Sequence, residues 1–220
     1  MDEMSRYKKK ERERMTGGSI VSALCLVTFI FTASVVLVLN FRWLYYLDIT
    51  LLGIESETGM TAEQIRANYD ALISYNVLWF RGELVFPTLP MSENAAIHFR
   101  EVKRIFDVIQ AAFALSGIAS VISVIIMKKR GKRKYLRIAG VLTLIIPVIL
   151  GALAAVDWQR FFITFHKLAF NNDYWLFDPA TDPIILQLPD MFFFHCAAAI
   201  LMLVFAGGGI CLLAGRNRRN

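Results

Sequence analysis

The chain has 220 residues, of which 56% are hydrophobic and 19% charged, and its formal net charge is +6. A soluble domain of this length does not need four long apolar runs, whereas membrane helices do, because each must cross a hydrocarbon core of about 30 Å. The basic residues cluster at the ends of those runs, where topology explains them, so the positive charge does not indicate a nucleic-acid partner.

Four apolar runs predict four transmembrane helices in chain order. They cover residues 19–39, 105–127, 138–156 and 191–215. Each is long enough for one crossing at about 1.5 Å per residue. The first run is too long for the apolar core of a secretory signal, and no small-residue cleavage site follows it, so we interpret it as an uncleaved anchor. We therefore expect an all-α, multi-pass membrane protein.

Basic residues are distributed unevenly between the segments that connect these spans. Sixteen of the 24 lie in the amino-terminal tail 1–18, the loop 128–137 and the carboxyl-terminal tail 216–220. Segments 40–104 and 157–190 hold the other eight, together with thirteen acidic residues. By the positive-inside rule, both termini and the basic loop are cytoplasmic, and the two remaining segments form a small extracytoplasmic cap.

The cap segments contain two signals for the start of a helix. Thr61 followed by Gln64 has the form of a capping box and predicts a helix over roughly 62–79. Ser92 predicts the start of a second helix, which runs through His98 and continues into the second span.

Within and next to the other spans, the sequence predicts packing rather than chemistry. Residues 157–170 are expected to extend the third span beyond the membrane as one helix. No charged residue lies at the middle of a span, which disfavours a channel or an ion-coupled transporter. Gly207-Gly208-Gly209 predicts close helix packing in the fourth span. The three cysteines lie in apolar runs without ligand spacing, so we expect neither a disulfide nor a zinc site.

All three histidines of the chain, His98, His166 and His195, lie at or near the predicted outer ends of spans. Glu101 shares a helix face with His98, where a carboxylate can orient the imidazole. His166 follows aromatic residues and precedes polar ones, a pattern typical of a lined site with a few polar groups. A histidine taken singly is more often structural. Because a short loop joins the second and third spans, however, we expect His98 and His166 to lie at a similar depth on neighbouring helices.

Several familiar catalytic motifs are missing from the sequence. It has no HExxH, no P-loop, no GxGxxG and no GxSxG. A Ser-His-Asp triad would need a serine that the pattern does not single out, such as Ser74 or Ser92. We therefore expect no metal, no cofactor and no covalent intermediate on the enzyme.

Two stretches around the first two histidines form recognisable motifs. One is Ser92-Glu93 followed by His98-x-x-Glu101-Val102-Lys103, and the other runs from Phe165-His166 through Phe170, Asn172-Asp173 and Trp175 to Asp178-Pro179. With these motifs and its four spans, the chain resembles the bacterial lipoprotein intramolecular transacylase (Lit) family of integral membrane proteins. That family usually has Asp at the position of Glu101.

The resemblance implies an acyltransferase of the bacterial cytoplasmic membrane that acts at the extracytoplasmic face. Its substrate would be a lipoprotein whose amino-terminal cysteine carries a diacylglyceryl group. The sn-2 acyl chain would move to the cysteine α-amino group and give an N-acyl, S-monoacylglyceryl (lyso-form) lipoprotein. The resemblance also implies that His98 and His166 are catalytic. We assign His98 as the base and His166 as the acid or electrophile, although the sequence leaves the reverse open.

Other residues are expected to support this reaction. Three polar residues would support and orient the two histidines without contacting the substrate, namely Glu101, Asn172 and Asp173. A substrate pocket would be lined by six further side chains, namely Tyr69, Tyr75, Trp158, Phe165, Trp175 and His195. The alternative is a non-enzymatic membrane protein whose cap binds a lipid or a partner protein. For the enzyme, the expected partners are diacylglyceryl-modified lipoproteins and membrane lipids rather than nucleic acid, and the sequence does not give the oligomeric state.

Overall fold

The computed structural model describes residues 16–216, and this part of the chain forms nine helices and no strands. The tail residues 1–15 and 217–220, with eight of the basic residues counted above, lie outside the described residues. The helices are α1 (Gly17–Asn40), α2 (Arg42–Leu51), α3 (Ile54–Thr58), α4 (Ala62–Tyr75), α5 (Glu93–Lys129), α6 (Lys134–Val156), α7 (Trp158–Ala169), α8 (Ile184–Gln187) and α9 (Asp190–Ala214).

Four of these helices, α1, α5, α6 and α9, are long and apolar enough to cross a membrane. This confirms the predicted all-α protein with four spans. Helix α5 has 37 residues, which is about 55 Å at 1.5 Å per residue and well beyond the hydrocarbon core. At its start the Ser92 hydroxyl accepts a hydrogen bond from the Ala95 amide at 3.1 Å. The predicted helix through His98 into the second span is therefore present.

The chain divides into two compact units, and the first contains Ala112–Leu150, the described residues up to Ser34 and those from Leu201 onward. Its buried core is apolar and consists of Ala23, Met127, Tyr135, Ala139 and Cys211. A Cβ added to Gly208 would lie 2.9 Å from Leu144 Cδ2, and one added to Gly207 would lie 2.7 Å from Ile30 Cγ2. The close packing predicted for the glycine run is therefore present at these two positions.

The second unit contains Val35–Ala111 and Gly151–Ile200. Its core centres on Tyr45 and Tyr69, whose rings stack with centroids 3.8 Å apart, and on Phe192, which meets both of them edge-on. The core is apolar but also contains buried hydrogen bonds, for example from the Tyr45 hydroxyl to the Gln187 carbonyl oxygen at 2.7 Å. Every residue discussed below as part of the candidate site belongs to this unit.

Helix α4 begins as predicted, because both hydrogen bonds of the Thr61–Gln64 capping box are present. It ends at Tyr75 rather than near residue 79. Tertiary hydrogen bonds from α5 explain the earlier end, since Gln110 Nε2 donates to the Asn76 carbonyl and Gln110 Oε1 accepts from the Leu78 amide. These backbone groups are therefore not available to continue the helix.

The expectation that residues 157–170 extend the third span as one helix is wrong. Asp157 has an extended backbone, with φ −156° and ψ 94°, and its side chain accepts a hydrogen bond from the Arg160 amide at 2.9 Å. It is the N-cap of a new helix, and an N-cap residue lies outside helical geometry. Helix α6 accordingly ends at Val156, and α7, which bears His166, begins as a separate helix at Trp158.

Candidate active site

His98 lies on the part of α5 that precedes the predicted apolar run, and only 7% of it is exposed. Aromatic rings surround it, with Phe170 at 4.7 Å and Phe177 at 5.5 Å between centroids. Burial, together with the nearby His166, lowers the pKa of His98 to about 4. The imidazole is therefore neutral at pH 7. Its Nδ1 atom is buried and has no hydrogen-bond partner among the described residues.

His166 lies on α7 and is fixed by its own helix. Its Nδ1 is 2.9 Å from the Phe162 carbonyl oxygen. A carbonyl oxygen can only accept, so Nδ1 donates, and a neutral ring then carries its lone pair on Nε2. Burial lowers the pKa of His166, and the hydrogen bond to Phe162 opposes this shift. The ring packs between Phe162 at 4.2 Å and Trp175 at 4.9 Å.

The two histidines meet, although 68 residues separate them in the sequence. Their ring centroids are 6.1 Å apart, with an angle of 35° between the ring planes. Phe170 contacts both rings, at 4.7 Å from His98 and 5.7 Å from His166. The structure therefore places two neutral imidazoles side by side against an aromatic wall.

Asn172 ties the segment after α7 to helix α5. Its Nδ2 donates to Glu101 Oε1 at 2.9 Å, and its carbonyl oxygen accepts from Trp175 Nε1 at 3.1 Å. Its own side-chain oxygen accepts from the Tyr174 amide at 3.1 Å. Every polar group of the Asn172 side chain is thus used, and Trp175 is held against His166.

The hydrogen bond expected between Glu101 and His98 is absent within residues 16–216. Glu101 Oε1 is bonded to Asn172, and Oε2 is buried with no partner among the described residues. Asp173 is exposed, and of its groups only the backbone carbonyl is bonded, to the Leu176 amide. Of the three supporting residues predicted, Glu101 and Asn172 bond to each other, and Asn172 also bonds Trp175, which packs on His166, whereas Asp173 lies at the surface.

The six predicted pocket residues lie in three different places. Trp175 and Phe165 contact the His166 ring, with centroids 4.9 and 5.4 Å away. Trp158 packs against Phe162 and donates from Nε1 to the Asp190 carbonyl, so it is one residue removed from the site.

The other three predicted pocket residues have partners elsewhere in the second unit. Tyr69 and Tyr75 belong to the buried core, and neither makes a ring contact with His98 or His166 in the described part of the chain. His195 Nδ1 lies 2.8 and 2.9 Å from the two carboxylate oxygens of Asp48, which is almost fully buried. His195 therefore holds a buried carboxylate rather than facing the other two histidines.

The sequence reasoning gave no pocket role to four aromatic residues that contact the histidines, Phe99, Phe162, Phe170 and Phe177. A signal for two of them was present, since Phe162 and Phe170 lie four residues before and after His166, one helical turn in each direction. Phe177 follows a turn, and no local periodicity connects it to either histidine.

A family description covers most of this chain. The model for the family named lipoprotein intramolecular transacylase Lit matches residues 20–193. The chain belongs to the Lit family. The matched range includes both histidines, Glu101 and Asn172.

Solved structures of Lit from Bacillus cereus have the same fold. One is 40% identical to this chain with a TM-score of 0.86, covering 88% of this chain and 90% of that one. A second, with a histidine replaced by arginine, is 39% identical with a TM-score of 0.82, covering 90% and 89%. Comparison with curated protein sequences gave no match.

Membership of the Lit family identifies the protein as an acyltransferase, a lipoprotein transacylase integral to the bacterial membrane. This confirms the resemblance stated from the two histidine motifs. It also decides against the alternative of a non-enzymatic binding protein.

Proposed function

We propose that this Lit-family protein moves the sn-2 acyl chain of a diacylglyceryl-modified amino-terminal cysteine onto the α-amino group of the same cysteine, with His98 and His166 carrying out the proton transfers. The product is an N-acyl, S-monoacylglyceryl lipoprotein. The observation that carries the proposal is the pair of neutral imidazoles, with centroids 6.1 Å apart, in an aromatic-walled site.

The reaction is an internal rearrangement, so its atoms balance without a second substrate. The α-amino nitrogen attacks the sn-2 ester carbonyl carbon, the new C–N bond forms, and the C–O bond to the glyceryl oxygen breaks. The transition state closes an eight-atom ring through N, Cα, Cβ, S, two glyceryl carbons, the ester oxygen and the carbonyl carbon. Such a ring closes rarely in a free lipid. Holding amine and ester together can contribute about 7–11 kcal/mol toward the barrier.

His166 is the better base of the pair, which reverses the assignment favoured from the sequence. Its Nδ1–H is committed to the Phe162 carbonyl, so Nε2 carries the lone pair. The substrate amine has an ordinary pKa of about 7.7–8.0, so a fraction is neutral and able to attack at pH 7. Nε2 accepts the amine proton as the C–N bond forms and returns it to the glyceryl oxygen as the C–O bond breaks.

His98 is suited to stabilising the developing oxyanion. With a pKa of about 4 it stays neutral beside His166, and a neutral imidazole can donate a ring N–H to a carbonyl oxygen. Because His98 resists protonation, the proton of the substrate amine passes to His166. The two histidines thereby have separate roles although they are chemically identical.

We also propose that the site lies at the extracytoplasmic face of the membrane. The support is the charge distribution, because the basic loop 128–137 has seven basic residues and no acidic one, whereas the segments that carry the site hold more acidic than basic residues.

The test uses purified protein in detergent and a synthetic diacylglyceryl-cysteinyl peptide. Substrate and product are isomers of equal mass, so conversion is followed by tandem mass spectrometry, which locates the acyl chain on nitrogen or on glycerol. We expect His98→Gln and His166→Gln each to lower the rate about 10²–10⁴-fold. Lys167→Gln, an exposed neighbour on α7, is the control and keeps the rate. Wild-type rates in either folded histidine variant would contradict the mechanism.

A further inference from the structure

We propose that Glu101 binds the α-ammonium group of the substrate, so that the site selects lipoproteins whose amino-terminal cysteine is still unmodified. The inference rests on the proposed function and adds to it the means by which the amino end of the substrate is recognised. It gives Glu101 a direct contact with substrate in place of the expected orienting contact with His98.

The first observation is an unsatisfied carboxylate oxygen on the helix that carries His98, three residues further along. Glu101 Oε1 accepts the 2.9 Å hydrogen bond from Asn172 Nδ2, but Oε2 exposes less than 1 Å² and has no hydrogen-bond partner among the described residues. Burying a carboxylate oxygen without a partner is costly, and native proteins rarely leave such a group unpaired. A ligand that brings a positively charged donor would relieve that cost.

The second observation concerns charge, because no cationic side chain in the described range forms an ion pair with Glu101. Lys103 is near in sequence, but its Nζ donates to the Val77 carbonyl oxygen and to Asp107 Oδ1. Arg100 and Arg104 are exposed. The positive partner of this carboxylate therefore has to come from outside the described residues.

The third observation is the composition of the walls, which suits a primary ammonium. Such a group has three N–H donors and is attracted to carboxylates and to aromatic faces. Trp175 is fixed by its hydrogen bond to the Asn172 carbonyl, the same residue that holds Glu101. Phe170 contacts both histidines. The histidines themselves are neutral, so they do not repel a cation.

A second buried and unpartnered atom lies on the same helix face. His98 Nδ1, three residues before Glu101, also has no hydrogen-bond partner in the described chain. An amine bound at Glu101 would thus lie close to the imidazole pair, of which His166 receives its proton. An N-acylated cysteine has no positive charge and only one N–H, so it would bind weakly, which favours release of the product.

The test compares two unreactive probes in which ether linkages replace the esters of a diacylglyceryl-cysteinyl peptide. One probe has a free amine and the other is N-acetylated. We expect the wild type to bind the free amine about tenfold or more tightly than the acetylated probe. This preference should disappear as pH rises past the amine pKa of about 8, because the probe loses its charge.

Glu101→Gln keeps the side-chain shape and an oxygen for Asn172 but removes the charge. We expect it to abolish the preference for the free amine, and with the ester substrate to raise KM more than it lowers kcat. Glu101→Asp should restore part of the preference. Glu93→Gln, an exposed position on the same helix, is the matched control and should behave as wild type.

Two results would overturn the inference. One is equal affinity of the wild type for both probes, which can be measured even if Glu101→Gln does not fold. The other is an unchanged preference in folded Glu101→Gln. In either case, histidine-dependent conversion of the ester substrate by the same preparation would leave the proposed reaction standing, whereas no conversion by wild type would refute the reaction separately.

Discussion

The fold keeps the His98 imidazole unprotonated, and this has a consequence for stability. Its pKa is about 4 in the folded protein and 6.5 in an unperturbed histidine. Between these values the unfolded chain takes up a proton that the folded protein does not bind. The contribution of His98 to the free energy of unfolding is therefore constant above about pH 6.5 and decreases as pH falls toward 4.

We therefore expect the thermal unfolding temperature to fall between pH 6.5 and pH 4.5, and to fall less in His98→Gln. The unfolding temperature of each protein is measured in detergent by intrinsic tryptophan fluorescence, at pH values one unit apart. The difference between the two proteins removes the contribution of titrating groups other than His98 and its coupled neighbour His166. Parallel pH profiles would show that His98 is not held neutral by the fold.

Asn172 is the residue through which Glu101 and Trp175 are positioned together. Asn172→Ala would leave both carboxylate oxygens of Glu101 unpartnered, at a cost of about 1–3 kcal/mol in unfolding free energy. Asn172→Asp should be worse for activity, because it places a carboxylate against the one on Glu101. Asn171→Ala, at the exposed neighbouring position, is the control. The measurements are urea or thermal unfolding and kcat/KM, and equal effects at positions 171 and 172 would contradict this role.

The sequence predicted that His98 and His166 would meet, because both lie near the outer ends of spans that a short loop joins, and their rings are 6.1 Å apart. It did not identify the bond from Asn172 to Glu101, which links residues 71 positions apart. Long-range hydrogen bonds leave no periodic pattern in a sequence. Nor could the tautomer of His166 be predicted, since it depends on one carbonyl of the preceding helical turn.

At the scale of the helices, α9 offers a comparison between adjacent glycines. An alanine Cβ at Gly208 would lie 2.9 Å from Leu144 Cδ2, whereas one at Gly209 would meet nothing within 4 Å. We expect Gly208→Ala to destabilise the protein by about 1–3 kcal/mol through overpacking. Gly209→Ala should be neutral or stabilising by up to about 1 kcal/mol, because alanine favours the helix. Thermal unfolding of both variants tests this, and equal shifts would contradict close packing at Gly208.

Helix starts were predictable only where a side chain marks them. Thr61 and Ser92 both accept the bonds expected of caps. Helix α2 begins after Phe41, which makes no side-chain cap, and neither α2 nor α3 was predicted. The break at Asp157 was missed because the apolar pattern continues across it, although aspartate is a favoured N-cap residue.

At the scale of the whole molecule, the distribution of basic residues predicts which segments face the cell exterior. In a variant without the native cysteines, a cysteine replacing exposed Glu57 should react with a membrane-impermeant maleimide in intact cells or spheroplasts. A cysteine replacing exposed Lys129 should react only after the membrane is broken. The reverse labelling pattern would invert the orientation and place the site in the cytoplasm.

Helix α5 runs without interruption from the residues around His98 to the end of the second span. His98 precedes Ile105, the start of the predicted apolar run, by seven residues, a rise of about 10 Å. The number of residues between His98 and Ile105 therefore sets both the distance of the imidazole from the apolar run and the side of the helix on which it lies. Inserting one residue between them would lift the ring by about 1.5 Å but swing it through about 100°. Removing about one turn would leave the direction of the ring nearly unchanged and lower it by about 5 Å.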